Sequence, residues 1–284
     1  MVITQISPEE TPLLSKLGVS RAYSTYHNWL TDGLLSATAT GGQCIEGNSA
    51  VERAISDRTR ALNYTQITQF VFTITGTQEA VSHYGLDSEY SYQLEKALKS
   101  FKIMQESMLF NSTSSVGAYD GGVATAARSM NGLLEAIQTT ICTGYASACA
   151  LTESMFNTLL QNIFTQGGTP DTVFCAGFNK RRISSFATSN TRTLNMDKGA
   201  TLRNFVSVYE SDFGTLSIML DRYCPTRSVP IIEVEKFKVA YLRKPKVVPL
   251  AIDGDRTSAM VIGEYTLEYL NEKGSGRFDN LANS

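Results

Sequence analysis

The chain has 284 residues, 42% of them apolar and 18% charged, which is enough to bury a sizeable core as one large domain or two lobes. With 25 Lys and Arg against 27 Asp and Glu the net charge is −2, so no global basic field exists to hold nucleic acid. Cys44, Cys142, Cys149, Cys175 and Cys224 form no CxxC pair and no Cys/His cluster, and with only His27 and His83 available the sequence argues against a zinc site.

The thiols therefore read as reduced and mostly buried. The start, MVITQISPEE, carries acid where a secretory signal carries lysine, and no long apolar run follows. A soluble, intracellularly made protein without a membrane span is expected.

In chain order, Ser7-Pro8-Glu9-Glu10 is a capping box, and Thr11-Pro12 repeats the punctuation before Leu13, Leu14 and Leu17. A helix this short is unstable alone in water, so it must dock on its own subunit or a neighbour. From residue 22 to 74, Thr, Ser, Gly, Asn and Gln dominate, with strand-like runs at about 21–30 and 62–75. Between them lie Gly41-Gly42, Glu46-Gly47 and the charged segment 51–60. The pattern predicts a long two-stranded excursion with a polar tip, which leans on a partner because a lone hairpin is marginal.

Residues 86–111 read as one amphipathic helix without Gly or Pro. Tyr90, Leu94, Ala97, Leu98, Phe101, Met104 and Met108 form its apolar stripe; Glu95, Lys96, Lys99, Lys102 and Glu106 lie mostly off it. Asp87 or Ser88 caps the start. At 1.5 Å per residue this is a rod of about 38 Å, against a radius of gyration of about 19 Å for a compact chain of this length. It is a beam without chemistry of its own. Tyr90, Leu94, Leu98 and Phe101 are expected to pack on the C-terminal strands of the same subunit.

A second helix is predicted over 124–140, carrying Met130, Leu133, Leu134 and Ile137. The third is capped by Thr152, buries Met155, Phe156, Leu159, Leu160, Ile163 and Phe164, and stops at Gly167-Gly168. A buried strand at 172–176 and a helix opening at Asn179, with Ile183 and Phe186 inward, complete a small α/β lobe. Strands follow at 204–209 and 215–220 around a turn, then a linker at 225–230. The last strands are 231–234, 236–242 and an antiparallel one at 259–270, preceded by the turn Asp253-Gly254-Asp255. The fold class is α+β.

Catalytic chemistry is sparse. Asp253, Asp255 and Glu264 are the only candidate paired carboxylates, for acid/base work or a metal, and they support a soluble hydrolase as the rival reading. The plainer reading is a turn plus a surface glutamate on a strand. Ser211-Asp212 has no nearby histidine, and His27 beside Trp29 reads as a packing or hydrogen-bonding residue. Gly117, Gly121 and Gly122 lack phosphate-loop spacing, and Lys180-Arg181-Arg182 reads as a solvated face. No cofactor, metal or catalytic residue is assigned.

Dispersed motifs carry a resemblance. They include ISPEETP (6–12), HNW (27–29) followed by Asp32, NYTQI (63–67), GTQ (76–78), RSMNGL (128–133), VYESDFGT (208–215), and EYTL (264–267) with NEK (271–273). In this order and spacing the chain resembles the major capsid, or major head, proteins of tailed bacteriophages. The resemblance implies the Hong Kong 97 type capsid fold: residues 1–21 as an N-terminal arm, 22–75 as the E-loop region, 76–123 with 228–284 as a peripheral domain holding the spine helix, and 124–227 as an axial domain. It further implies self-assembly into pentamers and hexamers of an icosahedral shell around a double-stranded DNA genome, in a virion made in the host cytoplasm. Portal, scaffolding and decoration proteins are the implied further partners, with weak contact to packaged DNA and none to membrane. On this analogy Leu13, Leu14, Trp29, Cys44, Glu46, Arg53 and Arg58 make contacts between subunits. The chain starts almost at the ISPEETP motif, which implies a shorter arm or an upstream segment absent from the mature protein. No fused scaffolding segment is visible. A cellular nanocompartment shell of the same fold is the nearer alternative.

Overall fold

The computed structural model describes residues 10–33, 46–49, 57–81, 88–115, 118–120, 123–143, 149–189 and 207–282. Cys44, Arg53, the Ser7-Pro8 capping signal and Asp87 lie outside them. Two sheets and a long helix organise the chain. The first sheet runs in the order β1 (Gly18–Arg21), β12 (Phe237–Pro249), β13 (Arg256–Tyr269), β4 (Gln66–Thr75). β1 joins β12 in parallel, and the remaining pairs are antiparallel. Beyond Tyr241, where β1 ends, β12 carries Lys244, Pro245 and Lys246, residues that block pairing along an open edge.

The strand at 62–75 expected from sequence is two strands. β3 (Thr59–Tyr64) pairs with β2 (Tyr26–Thr31), while β4 belongs to the main sheet, so only part of 22–75 is an excursion. On β4 the residues alternate: Thr68, Phe72 and Ile74 face inward, Ile67, Gln69, Val71 and Thr73 outward. A one-turn helix α2 (Gly76–Ala80) leads from β4 towards the rod.

The rod is α3 (Glu89–Asn111), begun by Ser88, whose hydroxyl accepts the Ser91 amide. It packs on β4 and β13. The Tyr90 ring lies 5.5 Å from Phe72, and Phe101 sits so close to Gly263 that a Cβ there would be 3.0 Å from its Cζ. Tyr90 and Leu94 are half-buried, as the stripe requires, but Leu98 is exposed. The buried line runs through Ala97, Phe101 and Gln105, one residue away from Leu98 and thus about 100° around the axis. Glu106 corrects the sequence reading most: it is fully buried, because the C-terminal half of α3 is covered on more than one side.

What covers it is the arm. α1 (Pro12–Lys16) starts at Pro12, and Leu13 and Leu17 sink into the core beside Phe101 and Leu109. The arm helix therefore docks on its own subunit.

The helix expected over 124–140 does not form. β5 (Ala118–Asp120) and β6 (Val123–Ala126) make a small ribbon, and only one helical turn follows, α4 (Leu133–Ala136). Met130, Leu133 and Ile137 are buried as expected, but the backbone donors are taken by tertiary partners instead of carbonyls four residues back. The Met130 amide bonds Gln66, that of Asn131 bonds Asn63, that of Gly132 bonds the Ser112 carbonyl, and those of Gln138 and Thr139 share the Glu272 carboxylate.

The second sheet has the order β7 (Ile141–Thr143), β14 (Gly276–Asp279), β11 (Val229–Ile232), β8 (Thr172–Cys175), β10 (Gly214–Leu220), β9 (Val208–Ser211). β11 includes Val229 and Pro230, so part of the supposed linker 225–230 is buried strand. β11 and β14 belong to this sheet, so the tail after 228 is divided between both sheets. α5 (Glu153–Thr165) and α6 (Gly177–Ser189) accompany it. Thr152 caps α5 and Gly167 ends it at φ 84°, as expected, although Phe164 points to solvent. Lys180 is buried, with Nζ 3.4 Å from the Ile218 carbonyl, so the Lys180-Arg181-Arg182 cluster is not a uniform solvated face.

Phe110 of α3 meets Phe174 of β8 edge-on at 6.0 Å, and one core runs from Leu13 through α3 to Cys224 and Ile232. A second core fills the space between α5, α6 and the second sheet. No helix among the described residues is long and apolar enough to cross a membrane.

Behind α5 two backbones touch. A Cβ on Gly168 would lie 2.4 Å from the Gly274 Cα, and backbone cannot swing away as a side chain can. Gly168→Ala is expected to destabilise the chain by about 1–3 kcal/mol, read as a lower urea midpoint; an unchanged midpoint would contradict this packing.

Candidate assembly surface and its anchor

The β2–β3 hairpin presents two different faces. Its register sets Tyr26 opposite Tyr64, Asn28 opposite Leu62 and Leu30 opposite Arg60. His27 and Trp29 alternate with these and turn to the body of the subunit. His27 Nε2 lies 3.0 Å from Glu268 Oε2, and the Trp29 ring meets Tyr269 edge-on at 4.9 Å. The outward face carries apolar side chains that are uncovered, between Asn28 and Arg60: Tyr26 is 51%, Leu30 61% and Leu62 45% exposed. Tyr26 and Tyr64 rings meet at 5.3 Å and stiffen this surface. A second apolar patch lies on the first sheet opposite α3, where the half-exposed Ile67 and Val71 sit beside Ile262 and Met260.

The hairpin's base is fixed by buried polar groups. Asn63 donates to the Leu267 and Asn131 carbonyls at 2.7 and 3.1 Å, and its Oδ1 accepts the Asn131 amide at 2.7 Å. One residue past β3, the Thr65 hydroxyl donates to Glu264 Oε1 at 2.7 Å. Glu264 is 3% exposed and held by two guanidiniums, Arg128 Nη2 on Oε1 and Arg243 Nε on Oε2, each at 2.9 Å. A register shift in β12 between Tyr241 and Arg243 turns Arg243 towards the carboxylate. Glu264 is thus the buried centre of an ion-pair network joining β13, β12 and the 128–131 loop, and not a surface glutamate.

The carboxylates considered for catalysis do not converge. Asp253 is exposed and paired with Arg256, and Gly254 at φ 78° makes the expected turn. Glu264 lies nine residues beyond Asp255 along an extended strand, a separation of about 30 Å. Among the described residues no three His, Cys, Asp or Glu side chains form a metal-binding group. Cys175 and Cys224 are buried and Cys142 and Cys149 half-buried, all as free thiols. Burial pushes the Cys175 thiol up to about 12 and raises the Tyr265 phenol, so both stay protonated at neutral pH.

The residues expected to contact neighbours divide. Glu46 and Arg58 are exposed, Arg58 beside Asp32 at 3.7 Å. Trp29 is half-buried against Tyr269 of its own subunit, Leu14 packs at the edge of the core, and Leu13 is inside it. Sequence reading missed Tyr26, Leu30 and Leu62. The available signal was the YHNWLT segment, where apolar and aromatic residues fall on both faces of a strand that has one core to cover.

Three likenesses bear on identity. The major capsid protein of Escherichia phage Phieco32 is 31% identical over 109 residues, which is 38% of this chain and 31% of that protein. The chain therefore matches about a third of the length of that relative. Among solved structures, the capsid chain of cyanophage A-1(L) shares 12% identity with a TM-score of 0.72, covering 99% of this chain and 95% of that one. An encapsulin of Synechococcus elongatus shares 11% identity with a TM-score of 0.63, over 100% and 94%. The fold is the α+β Hong Kong 97 capsid type expected from sequence. Residues 1–282 match the family described as SU10 major capsid protein, and the chain belongs to that family.

Proposed function

We propose that this chain is a structural, non-enzymatic capsid subunit that closes into an icosahedral shell of pentamers and hexamers around a phage double-stranded DNA genome. The observation that carries this is the outward face of the β2–β3 hairpin, with Tyr26, Leu30 and Leu62 uncovered on an element rigidly anchored at its base. Apolar side chains held in a fixed direction are stabilised by burial on a neighbouring copy, at about 25 cal/mol per Å². Self-assembly is the first partnership. Portal, scaffolding and decoration proteins are further partners, and the near-neutral charge suits weak contact with packaged DNA. The product is a virion, its subunits made in the host cytoplasm.

Sheet membership supports a revised division: the arm to about residue 21, the E-loop between β2 and β3, a peripheral domain of the first sheet with α3, and an axial domain that includes β11 and β14. The encapsulin likeness keeps the nanocompartment shell as the second reading of the fold, and the family match favours the phage capsid.

The test is the triple variant Tyr26→Ser, Leu30→Ser, Leu62→Ser. Its circular dichroism should match the parent, while sedimentation and negative-stain imaging should show free subunits or capsomers where the parent gives closed particles. Normal particles from the variant, or a parent that stays monomeric at high concentration, would overturn the assignment.

A further inference from the structure

Glu106 and Asp221 are two carboxyl groups buried against each other where arm, spine and second sheet meet. Glu106 on α3 is 0% exposed and Asp221, just after β10, is 1% exposed. Both Glu106 oxygens accept amides from the start of α1, Leu13 at 2.7 Å and Leu14 at 2.8 Å. The Asp221 carboxyl lies within hydrogen-bonding reach of Glu106. Asp221 Oδ1 accepts the Tyr223 amide at 2.8 Å, whereas Oδ2 is buried with no donor among the described residues. Two ionised carboxylates cannot share such a site, so one proton between them supplies the missing donor. The surrounding groups are Arg222 and Tyr223 after β10, Cys224, Cys175 on β8, and Lys180 on α6, whose Nζ is directed to the Ile218 carbonyl. Lys16 closes the far end of α1.

We propose that Glu106 and Asp221 form a one-proton latch that holds α1 on the spine helix, closed while the pair shares a proton and opened as it is lost. α1 is the element that gives way. It is five residues long, whereas Asp221 is tied back through its own amide to the Cys175 carbonyl inside the second sheet. Opening hydrates both carboxylates and releases one proton to water. The freed arm is then able to reach another subunit.

The sign follows from proton counts. Burial and the Asp221 carboxyl push Glu106 up to about 8, against 4.5 for an exposed glutamate. Between these values the closed state binds a proton that the open state does not, so rising pH favours opening. Above about 8 neither state holds it and the dependence ends.

Hydrogen exchange on the purified full-length chain, corrected for intrinsic rates, tests this from pH 5.5 to 9. The opening constant at the Leu13 and Leu14 amides should rise about tenfold per pH unit up to about 8 and then level, while α5 amides stay flat. Asp221→Asn keeps an acceptor for Tyr223 and places a permanent donor beside Glu106, so its arm should stay closed to higher pH and its total rise in opening should be smaller than the parent's, with only the part due to burial remaining. Glu106→Gln loses one amide acceptor and should open more at every pH. A parent slope below twofold across the window, or the parent's full rise retained in Asp221→Asn, would overturn the latch. Should Asp221→Asn not fold, the comparison of Leu13 and Leu14 with α5 in the parent decides, and an equal slope at both sites rejects it. None of these readouts depends on shell formation.

Discussion

Replacing Glu264 with alanine should lower the free energy of unfolding by about 3–5 kcal/mol, the cost of leaving a buried charge without its partner. The side chain of Arg128 is 15% exposed and would lose the carboxylate it pairs with at 2.9 Å. Arg243, at 46%, can turn to water, so Arg128 dominates the loss. The Thr65 hydroxyl would lose its acceptor as well, which loosens the β3–β4 junction at the hairpin's base. Glu264→Gln keeps the shape and one acceptor and should cost less, about 1–3 kcal/mol. Urea unfolding followed by circular dichroism reads the global loss. The single tryptophan, Trp29, lies on the hairpin and reports its local release by fluorescence. A loss below 1 kcal/mol in Glu264→Ala would mean that the network does not hold the hairpin.

The second large effect is expected at Phe110. The ring is fully buried, sits near the C-terminal end of the spine helix and packs on Phe174 of the other sheet. Phe110→Ala should cost about 3–5 kcal/mol, from lost transfer energy and the cavity left behind. Because the ring links the two sheets, the variant should broaden or split a single unfolding transition. Leu98→Ala is the control. It lies on the same helix and in the expected apolar stripe, but its exposure predicts a change within about 0.5 kcal/mol. Equal losses at the two sites would contradict the observed rotation of the helix about its axis.

That pair of variants marks where sequence reading succeeds and fails. The existence, capping and approximate length of α3 follow from local chemistry: Ser88 at the start, no Gly or Pro inside, and apolar residues at helical spacing. Which residues face inward near its end does not. Periodicity describes one stripe, whereas α1, the first sheet and the second sheet cover different sides of the last two turns, and Glu106 is buried among them. The same reasoning explains α4. Met130, Leu133 and Ile137 have helical spacing, but Gln66, Asn63, Ser112 and Glu272 claim the amides that a helix would use, and those partners lie up to 134 residues away.

By itself the sequence determined the α+β class, the spine helix, the capped α5 with its glycine stop, the long C-terminal strand and, through its ordered motifs, the family. These depend on interactions within a few residues or on patterns along the chain. Only the tertiary structure decided that the arm helix docks on its own subunit, that Glu264 is the paired anchor of the hairpin, that β11 and β14 join the second sheet, and that Glu106 meets Asp221. Each brings together groups far apart in sequence, and burial, the quantity that gives a carboxylate or an arginine its energetic weight, is a property of the packed chain and not of local spacing.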